Sequence, residues 1–115
     1  MLSGAMEGWT ESDAARAVVG ADGSVWNAND AFCALVGIAE PALCRLGWRR
    51  LVHASDRRYM AAHLVEVLAG SARREFDIRL MPPDGHELPA RLSVELVRDS
   101  DGRHGRFLME ARTTT

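Results

Sequence analysis

The side chains that could do chemistry in this sequence are few and widely spaced. They are four histidines and two cysteines: His53, His63, His86, His104, Cys33 and Cys44. The cysteines have neither the C-x-x-C spacing of a redox pair nor that of a metal site. Both cysteines lie among apolar residues of helical character, where a thiol packs as a small buried hydrophobe. We therefore predict no catalytic residues and no metal held by these side chains.

The rest of the composition excludes further classes of protein. All fourteen basic residues are arginine, which excludes a lysine Schiff base and a P-loop lysine. A net charge of -2 gives no general attraction to nucleic acid or to an anionic membrane. No apolar run approaches the roughly 20 residues of a membrane-spanning helix, and the N-terminus lacks the features of a secretory signal. We expect a cytoplasmic protein that is not an enzyme and that binds neither nucleic acid nor membrane.

Turn signals near both ends of the chain divide it into strands. The chain has 115 residues, enough for one domain with one core. Asp-Gly dipeptides at 22–23, 84–85 and 101–102 favour the tight turns of hairpins, and each is flanked by residues that can form strands. The sequence therefore predicts five strands, which are 16–20, 24–27, 74–81, 86–98 and 103–111.

Alternation along the later strands predicts a sheet with one apolar face. Apolar and polar side chains alternate over 74–81 and 86–98, as expected for a sheet that is wet on one side. Pro89 falls on the polar side and cannot donate to a ladder, so it should mark a strand start or a local edge. The last strand is apolar on both faces, and we count Leu108 among its inward-facing residues.

The middle of the chain, residues 29–70, has the pattern of helices. Asn29 is suited to cap a short helix that ends at Gly37, and Pro41 suits the first turn of a second helix. The clearest helix is 56–69, with Ser55 or Asp56 as its cap. Its apolar residues recur at helical spacing and are Met60, Leu64, Val67 and Leu68.

The element order is therefore β-β-α-α-α-β-β-β. It predicts an α+β domain, a five-stranded antiparallel sheet with helices packed on one face. The space between helices and sheet is the default place for a ligand, and its few polar residues favour an apolar one. The residues predicted to line this space are Phe32, Leu35, Leu51, Met60, His63, Leu64, Phe76, Ile78, Leu92, Val94 and Leu108.

The motifs in this order resemble those of a PAS domain, a sensory module of signalling proteins. The Asp22-Gly23 turn resembles the turn of the family's first hairpin, and Asn29-x-Ala31-Phe32-x-x-Leu35-x-Gly37 resembles its first helix. Leu51-Val52-His53-Ala54-Ser55-Asp56 resembles the family's opening of the long helix, and Met81-Pro82-Pro83-Asp84-Gly85 resembles its next hairpin. The likeness divides the chain into a flanking segment at 1–15 that could form a short helix, a PAS-like domain at 16–112 and a frayed tail or truncated linker at 113–115.

The resemblance implies a sensory and dimerisation module of signal transduction. Its effector would be a sensor histidine kinase of a two-component system or a transcription regulator, with a small apolar ligand or a partner bound between helices and sheet. The doubly apolar last strand and the unassigned Trp9 favour a homodimer. An alternative is a structural dimerisation domain whose core is closed.

The resemblance also suggests two cofactors, flavin and haem, and we expect neither. Light-sensing relatives bond flavin through a cysteine that would fall near position 48, which is Trp48 here, so Cys44 is misplaced and flavin is disfavoured. Haem-binding relatives place a histidine on the long helix, and His63 lies on the flank of that helix's buried face. A haem-based gas or redox sensor using His63 is the alternative function, and a structural histidine bonded to a backbone carbonyl is the simpler reading.

Overall fold

A computed structural model of the chain describes residues 14–97 and 105–114. It confirms the α+β class and the predicted order of strands, with helices between the second and third. The elements are β1 (Ala15–Gly20), β2 (Val25–Ala28), α1 (Asp30–Val36), α2 (Glu40–Leu46), α3 (Trp48–Leu51), a 3-10 turn (Ala54–Asp56), α4 (Arg57–Leu68), β3 (Arg74–Leu80), β4 (Leu88–Val97) and β5 (Arg106–Thr113).

The five strands form one antiparallel sheet in the order β2-β1-β5-β4-β3. The last strand in sequence therefore lies at the centre, between β1 and β4. Ala15 at the start of β1 pairs with Ala111 near the end of β5. The chain therefore enters and leaves the sheet on two neighbouring strands at the same end.

Local signals begin and end the helices as the sequence predicts. The Asn29 side chain accepts a hydrogen bond from the Phe32 amide, and Gly37 ends α1 in the left-handed conformation at φ 71°. The same Asn29 oxygen accepts from the Arg16 amide at 3.0 Å, which ties the helix start to β1. Pro41 lies in the first turn of α2. The Asp22-Gly23 and Asp84-Gly85 dipeptides form turns, with φ of 99° and 85° at the glycines.

The two faces of the sheet differ sharply in chemistry. The inner face packs against the helices in one core, whose largest fully buried members are Trp48, Phe32, Phe107, Leu43, Leu51, Met60, Leu64, Leu80, Leu92 and Met109. The outer face carries cross-strand ion pairs, among them Arg91 with Asp77 and Arg16 with Glu110. This face was expected to be wet, and its charges agree with that expectation.

One predicted lining residue is on the wrong face. Leu108 packs with Val18 and Val97 on the outer side of the sheet, so it does not line the space under the helices. Val18 is its direct partner across β1 and β5. The inward residues of β5 are Phe107, Met109 and Ala111. Both faces of β5 are apolar, so alternation alone could not assign the inward side.

The helical region departs from prediction at its C-terminal half. A four-residue helix, α3, and a 3-10 turn precede α4, and neither has enough residues to show a period. Asp56 makes no capping bond to α4, because its carboxylate is directed to β3 instead. Leu68 is 44% exposed, so it lies outside the buried stripe of Met60, Leu64 and Val67.

The ends of the described structure also bear on the predictions. Strand β5 continues to Thr113, which pairs with Ala90, so the first residue of the predicted tail belongs to the sheet. The predictions on Trp9, on a helix near the N-terminus and on the turn at 101–102 lie outside the described residues. Among the residues that are described, no helix is long and apolar enough to cross a membrane.

Candidate functional site

The space predicted to hold a ligand is filled by protein side chains. Eight of the predicted lining residues are buried together in the core between helices and sheet, and these are Phe32, Leu51, Met60, Leu64, Phe76, Ile78, Leu92 and Val94. Leu35 is partly buried against the same core. Such side chains contact one another and leave the domain a closed interior.

Trp48 is the largest side chain in this interior and joins the helices to the sheet. Its indole Nε1 donates to the Gly20 carbonyl oxygen at 2.7 Å, and its amide donates to the Gly23 oxygen at 2.9 Å. Gly47 precedes it with φ of 79°, and a Cβ at that position would lie 2.6 Å from the Gly23 oxygen. A glycine is therefore required where α3 meets the β1–β2 turn.

A fully buried indole with both donors engaged does not suit the flavin chemistry that the family resemblance raised. Position 48 holds a side chain with no thiol, and Cys44 is exposed, with Sγ 3.5 Å from the Trp26 oxygen. The prediction that both cysteines are buried is wrong, because Cys33 is only partly buried and Cys44 is exposed. Partial desolvation of the sulfur atoms, with the nearby Glu40 carboxylate, raises the pKa of both thiols and favours their protonated form.

His63 lies in an aromatic cluster where α4 meets β3. Its ring stacks on Phe76 with centroids 4.1 Å apart and meets Tyr59 edge-on at 4.5 Å. Its Nδ1 accepts a hydrogen bond from Arg74 Nε at 2.8 Å. Burial lowers the pKa of His63 below its ordinary value, and the charge of Arg74 lowers it further. The cluster therefore favours the neutral imidazole.

This arrangement does not fit a haem ligand. An imidazole that binds iron through Nε2 carries its proton on Nδ1 and donates it to an acceptor. Here Nδ1 accepts from Arg74, so the proton is on Nε2. The partner is also the arginine side chain and not the backbone carbonyl that the simpler interpretation expected. We therefore derive no haem chemistry from His63.

A polar clamp ties the start of α4 to the edge strand β3. The Asp56 carboxylate accepts from Arg79 Nε at 3.0 Å, from its Nη2 at 2.9 Å and from its backbone amide at 2.9 Å. The Arg79 hydrogen bonds hold the pKa of Asp56 below its usual value. The neighbouring His53 amide donates to the Arg79 oxygen. The His53 Nε2 atom lies 3.4 Å from Glu87 Oε1. Apart from a carboxylate at a helix start, no local feature of the sequence indicates this clamp.

Four surface cavities lie along the described part of the chain, and one of them reaches the core residues Ile78 and Ala90 from outside. The cavity of about 410 Å³ is beside the exposed Trp26, over which Arg106 stacks at 4.0 Å. The cavity of about 250 Å³ lies beside the Asp56–Arg79 clamp. The other two lie on the charged outer face of the sheet. Within the described residues, no cluster of three or more His, Cys, Asp or Glu side chains could hold a metal ion.

Comparison with known proteins places the chain in a family. The sequence model of the PAS fold matches residues 25–109, most of the chain, so the protein belongs to the PAS-fold family. No relative is found among curated proteins.

Solved structures with the same fold are numerous. A domain of a sensory box sensor histidine kinase/response regulator from Geobacter sulfurreducens is 23% identical, with a TM-score of 0.71 over 88% of this chain and 83% of that one. A PAS domain from Colwellia psychrerythraea is 14% identical, with a TM-score of 0.82 over 96% and 94%. The N-terminal domain of a diguanylate cyclase with PAS/PAC sensor from Marinobacter aquaeolei is 20% identical, with a TM-score of 0.69 over 87% and 94%.

Proposed function

We propose that this PAS domain is the sensory and regulatory module of a signal-transduction protein and that it has no catalytic activity of its own. Its effector would be a kinase, as in the relative from Geobacter sulfurreducens, or a transcription regulator. The proposal places the domain in the cytoplasm and includes the pairing of two copies, since two-fold dimers are the commonest assemblies of soluble proteins.

The observation that carries the proposal is the filled space between helices and sheet. Trp48 and its neighbours leave the core closed, which supports signalling by a change in packing and not by a small molecule held at the centre. A partner would then favour one of two arrangements of α4 against the sheet.

The route to the rest of the protein follows from the topology. The clamp between Asp56 and Arg79 connects α4 to β3, and β3 is hydrogen-bonded through β4 to the central strand β5. Since β5 ends beside the start of β1, a shift of the sheet would displace both flanking segments together. This arrangement supports the transmission of a change at α4 to an attached effector.

Native mass spectrometry of the protein as purified from cells tests the closed core. We expect the mass of the polypeptide alone and no absorption band in the visible range. A stoichiometric bound molecule would instead favour the ligand-binding version of the function, and a Soret band lost in His63→Ala would establish the haem version.

A chimeric kinase tests the regulatory role. The chain replaces the PAS domain of a sensor kinase whose autophosphorylation is measurable. Asp56→Asn should change the kinase activity, because it weakens the link between α4 and β3. Asp84→Asn is the matched control, since Asp84 bonds the His86 amide at 2.9 Å in the exposed turn between β3 and β4, outside this route. Equal effects of the two substitutions would contradict the proposed route.

A further inference from the structure

The edge strand β3 is covered along only half of its length. At its C-terminal end the Arg79 amide donates to Asp56, the Arg79 oxygen accepts from the His53 amide, and the Met81 amide donates to the Leu51 oxygen. These bonds show that the backbone of Arg79 faces away from β4. Pro89, which pairs with Arg79, directs its own backbone to the opposite side, where its oxygen accepts from the Thr114 amide at 3.3 Å.

The same alternation exposes the backbone of Glu75 and Asp77. Residues two apart in a strand direct their backbone groups to the same side, so the amides and carbonyls of both residues also face away from β4. Within residues 14–97 and 105–114, none of these groups has a hydrogen-bond partner. The N-terminal half of β3 is therefore an open edge.

The opposite edge of the sheet is closed. On β2 the Ala28 amide donates to Glu40 Oε2 at 2.8 Å, and the Trp26 oxygen lies 3.5 Å from Cys44 Sγ. Side chains of α2 therefore occupy the Ala28 amide and the Trp26 oxygen on the outward side of β2. An open edge is a template for another strand, and proteins usually cover or shorten it.

The charges of the side chains along the open edge are complementary to those of a second copy that runs antiparallel to it. The segment begins with the exposed Arg73 and ends with the exposed Asp77, with Glu75 between them. If two copies pair antiparallel with Glu75 opposite Glu75, each Arg73 lies opposite the Asp77 of the other copy. Opposite charges across a strand pair stabilise it, and the ion pair of Glu75 with Arg112 reduces the repulsion at the centre.

We propose that β3 pairs with β3 of a second copy through residues 73–77, which joins two sheets across a two-fold axis. The register is limited on one side by the Asp56–Arg79 clamp, which blocks further pairing. Tyr59 lies beside this edge, 50% exposed and edge-on to Phe76, where a second copy would cover it. The inference rests on the pairing of copies in the proposed function but not on the signalling role.

The contact is short, and so the isolated domain should associate weakly. Strand addition gains its affinity from main-chain hydrogen bonds, and only Glu75 and Asp77 offer free groups within the strand. In a larger dimeric protein the two copies are held at high effective concentration, which makes such a weak contact sufficient.

Amide hydrogen exchange of the unmodified chain at low and high protein concentration is the first test. We expect the Glu75 and Asp77 amides to be slowed at high concentration, together with dimer formation in analytical ultracentrifugation. Protection that maps to another surface would overturn this interface while leaving the pairing of copies intact. The proposal would also be overturned if the chain is a monomer at all concentrations. It would be overturned as well if the Glu75 and Asp77 amides are slowed only when an unrelated peptide is added.

Charge reversal provides the second test and does not depend on the first. Arg73→Glu and Asp77→Arg should each weaken self-association about tenfold, because each puts like charges opposite each other twice. Asp77→Arg also removes the ion pair of Asp77 with Arg91 in its own sheet, so its urea denaturation is compared with that of the unmodified chain. An equimolar mixture of the two variants should associate as tightly as the original chain, since both cross-strand contacts become attractive again.

The matched control is Glu95→Arg, a charge reversal at an exposed position of β4 on the same outer face. It should leave self-association unchanged. The proposal fails if the mixture associates no better than the separate variants while circular dichroism shows both folded. It also fails if the control weakens association as much as the edge variants do.

Discussion

Two of the contacts between the helices and the sheet differ most in depth and in chemistry. Trp48 is fully buried and joins α3 to the turn after β1 by a hydrogen bond and by packing. Asp56 and Arg79 form an ion pair at the edge strand, where 18% and 39% of their side chains are exposed. The first contact belongs to the core, and the second is open to solvent and to a partner.

The buried contact at Trp48 therefore stabilises the domain, and the exposed ion pair of Asp56 with Arg79 is the contact that can be changed. A buried aromatic side chain contributes through apolar area and close packing, which vary little with pH or salt. A partly exposed ion pair is weaker and depends on protonation and ionic strength. The clamp at Asp56 is therefore the better place for a signal to alter the position of α4.

The largest effect should follow the loss of the buried indole. Trp48→Ala removes the largest side chain of the core and leaves a cavity, for which we expect a loss of about 3 to 5 kcal/mol in the free energy of unfolding. Trp48→Phe keeps most of the volume and loses the bond to Gly20, so its cost should be smaller. Urea denaturation followed by circular dichroism measures both.

Trp26→Ala is the control for this prediction. Trp26 is 49% exposed and stacks under Arg106 on the surface, so its loss should cost much less than that of Trp48. Comparable losses from the two substitutions would mean that Trp48 does not fill the core as described.

The sequence predicted the domain well wherever the signal was local. The Asn29 cap, the left-handed Gly37 and the Asp-Gly turns at 22–23 and 84–85 each depend on a few adjacent residues, and the structure has all of them. The alternation of β3 and β4 was read correctly because each has one polar face. The order of these local signals along the chain is what resembles a PAS domain.

The sequence could not predict contacts between distant residues. Trp48 stands in a four-residue helix beside two exposed arginines, and nothing local shows that it reaches Gly20. Asp56 reads as a helix cap, and only the position of β3 shows that it bonds Arg79 instead. Leu108 was misplaced because the direction of a doubly apolar strand is set by its neighbours.

An intermediate effect should follow the loss of the clamp. Asp56→Ala removes the acceptor of three hydrogen bonds from Arg79, and we expect a loss of about 1 to 2 kcal/mol, at the low end for charged groups because the pair is partly exposed. The pKa of Asp56 is lowered in the folded state. Its contribution is therefore present above the ordinary carboxyl value of 3.8 and is lost as the pH falls through the lowered value.

Glu110→Ala is the control for the clamp, because its carboxylate bonds one arginine within the sheet. It should cost less and should leave the protection of α4 amides from hydrogen exchange unchanged. Asp56→Ala should reduce that protection in the first turns of α4. Equal reduction in both variants would remove the distinction between the clamp and the other surface pairs.

The smallest effect should come from the titration of His63, whose side chain is partly buried. Its pKa is lowered in the folded state, first by burial and then by Arg74. The unfolded chain therefore binds the proton more readily, and the stability that the neutral ring provides is present above pH 6.5 and is lost as the pH falls below it. Protonation also removes the acceptor at Nδ1 and places two positive charges together.

Urea denaturation at several pH values between about 5 and 8 measures this titration, across the ordinary range of histidine. His63→Gln cannot titrate, and its amide oxygen can still accept from Arg74, so the slope of stability against pH should flatten. His86→Gln is the control for replacing a histidine by glutamine, since His86 is exposed in the turn after β3 and contacts neither α4 nor Arg74 in the described structure. A slope unchanged in His63→Gln would show that α4 is held to β3 without regard to this proton, which leaves Asp56 as the adjustable contact between them.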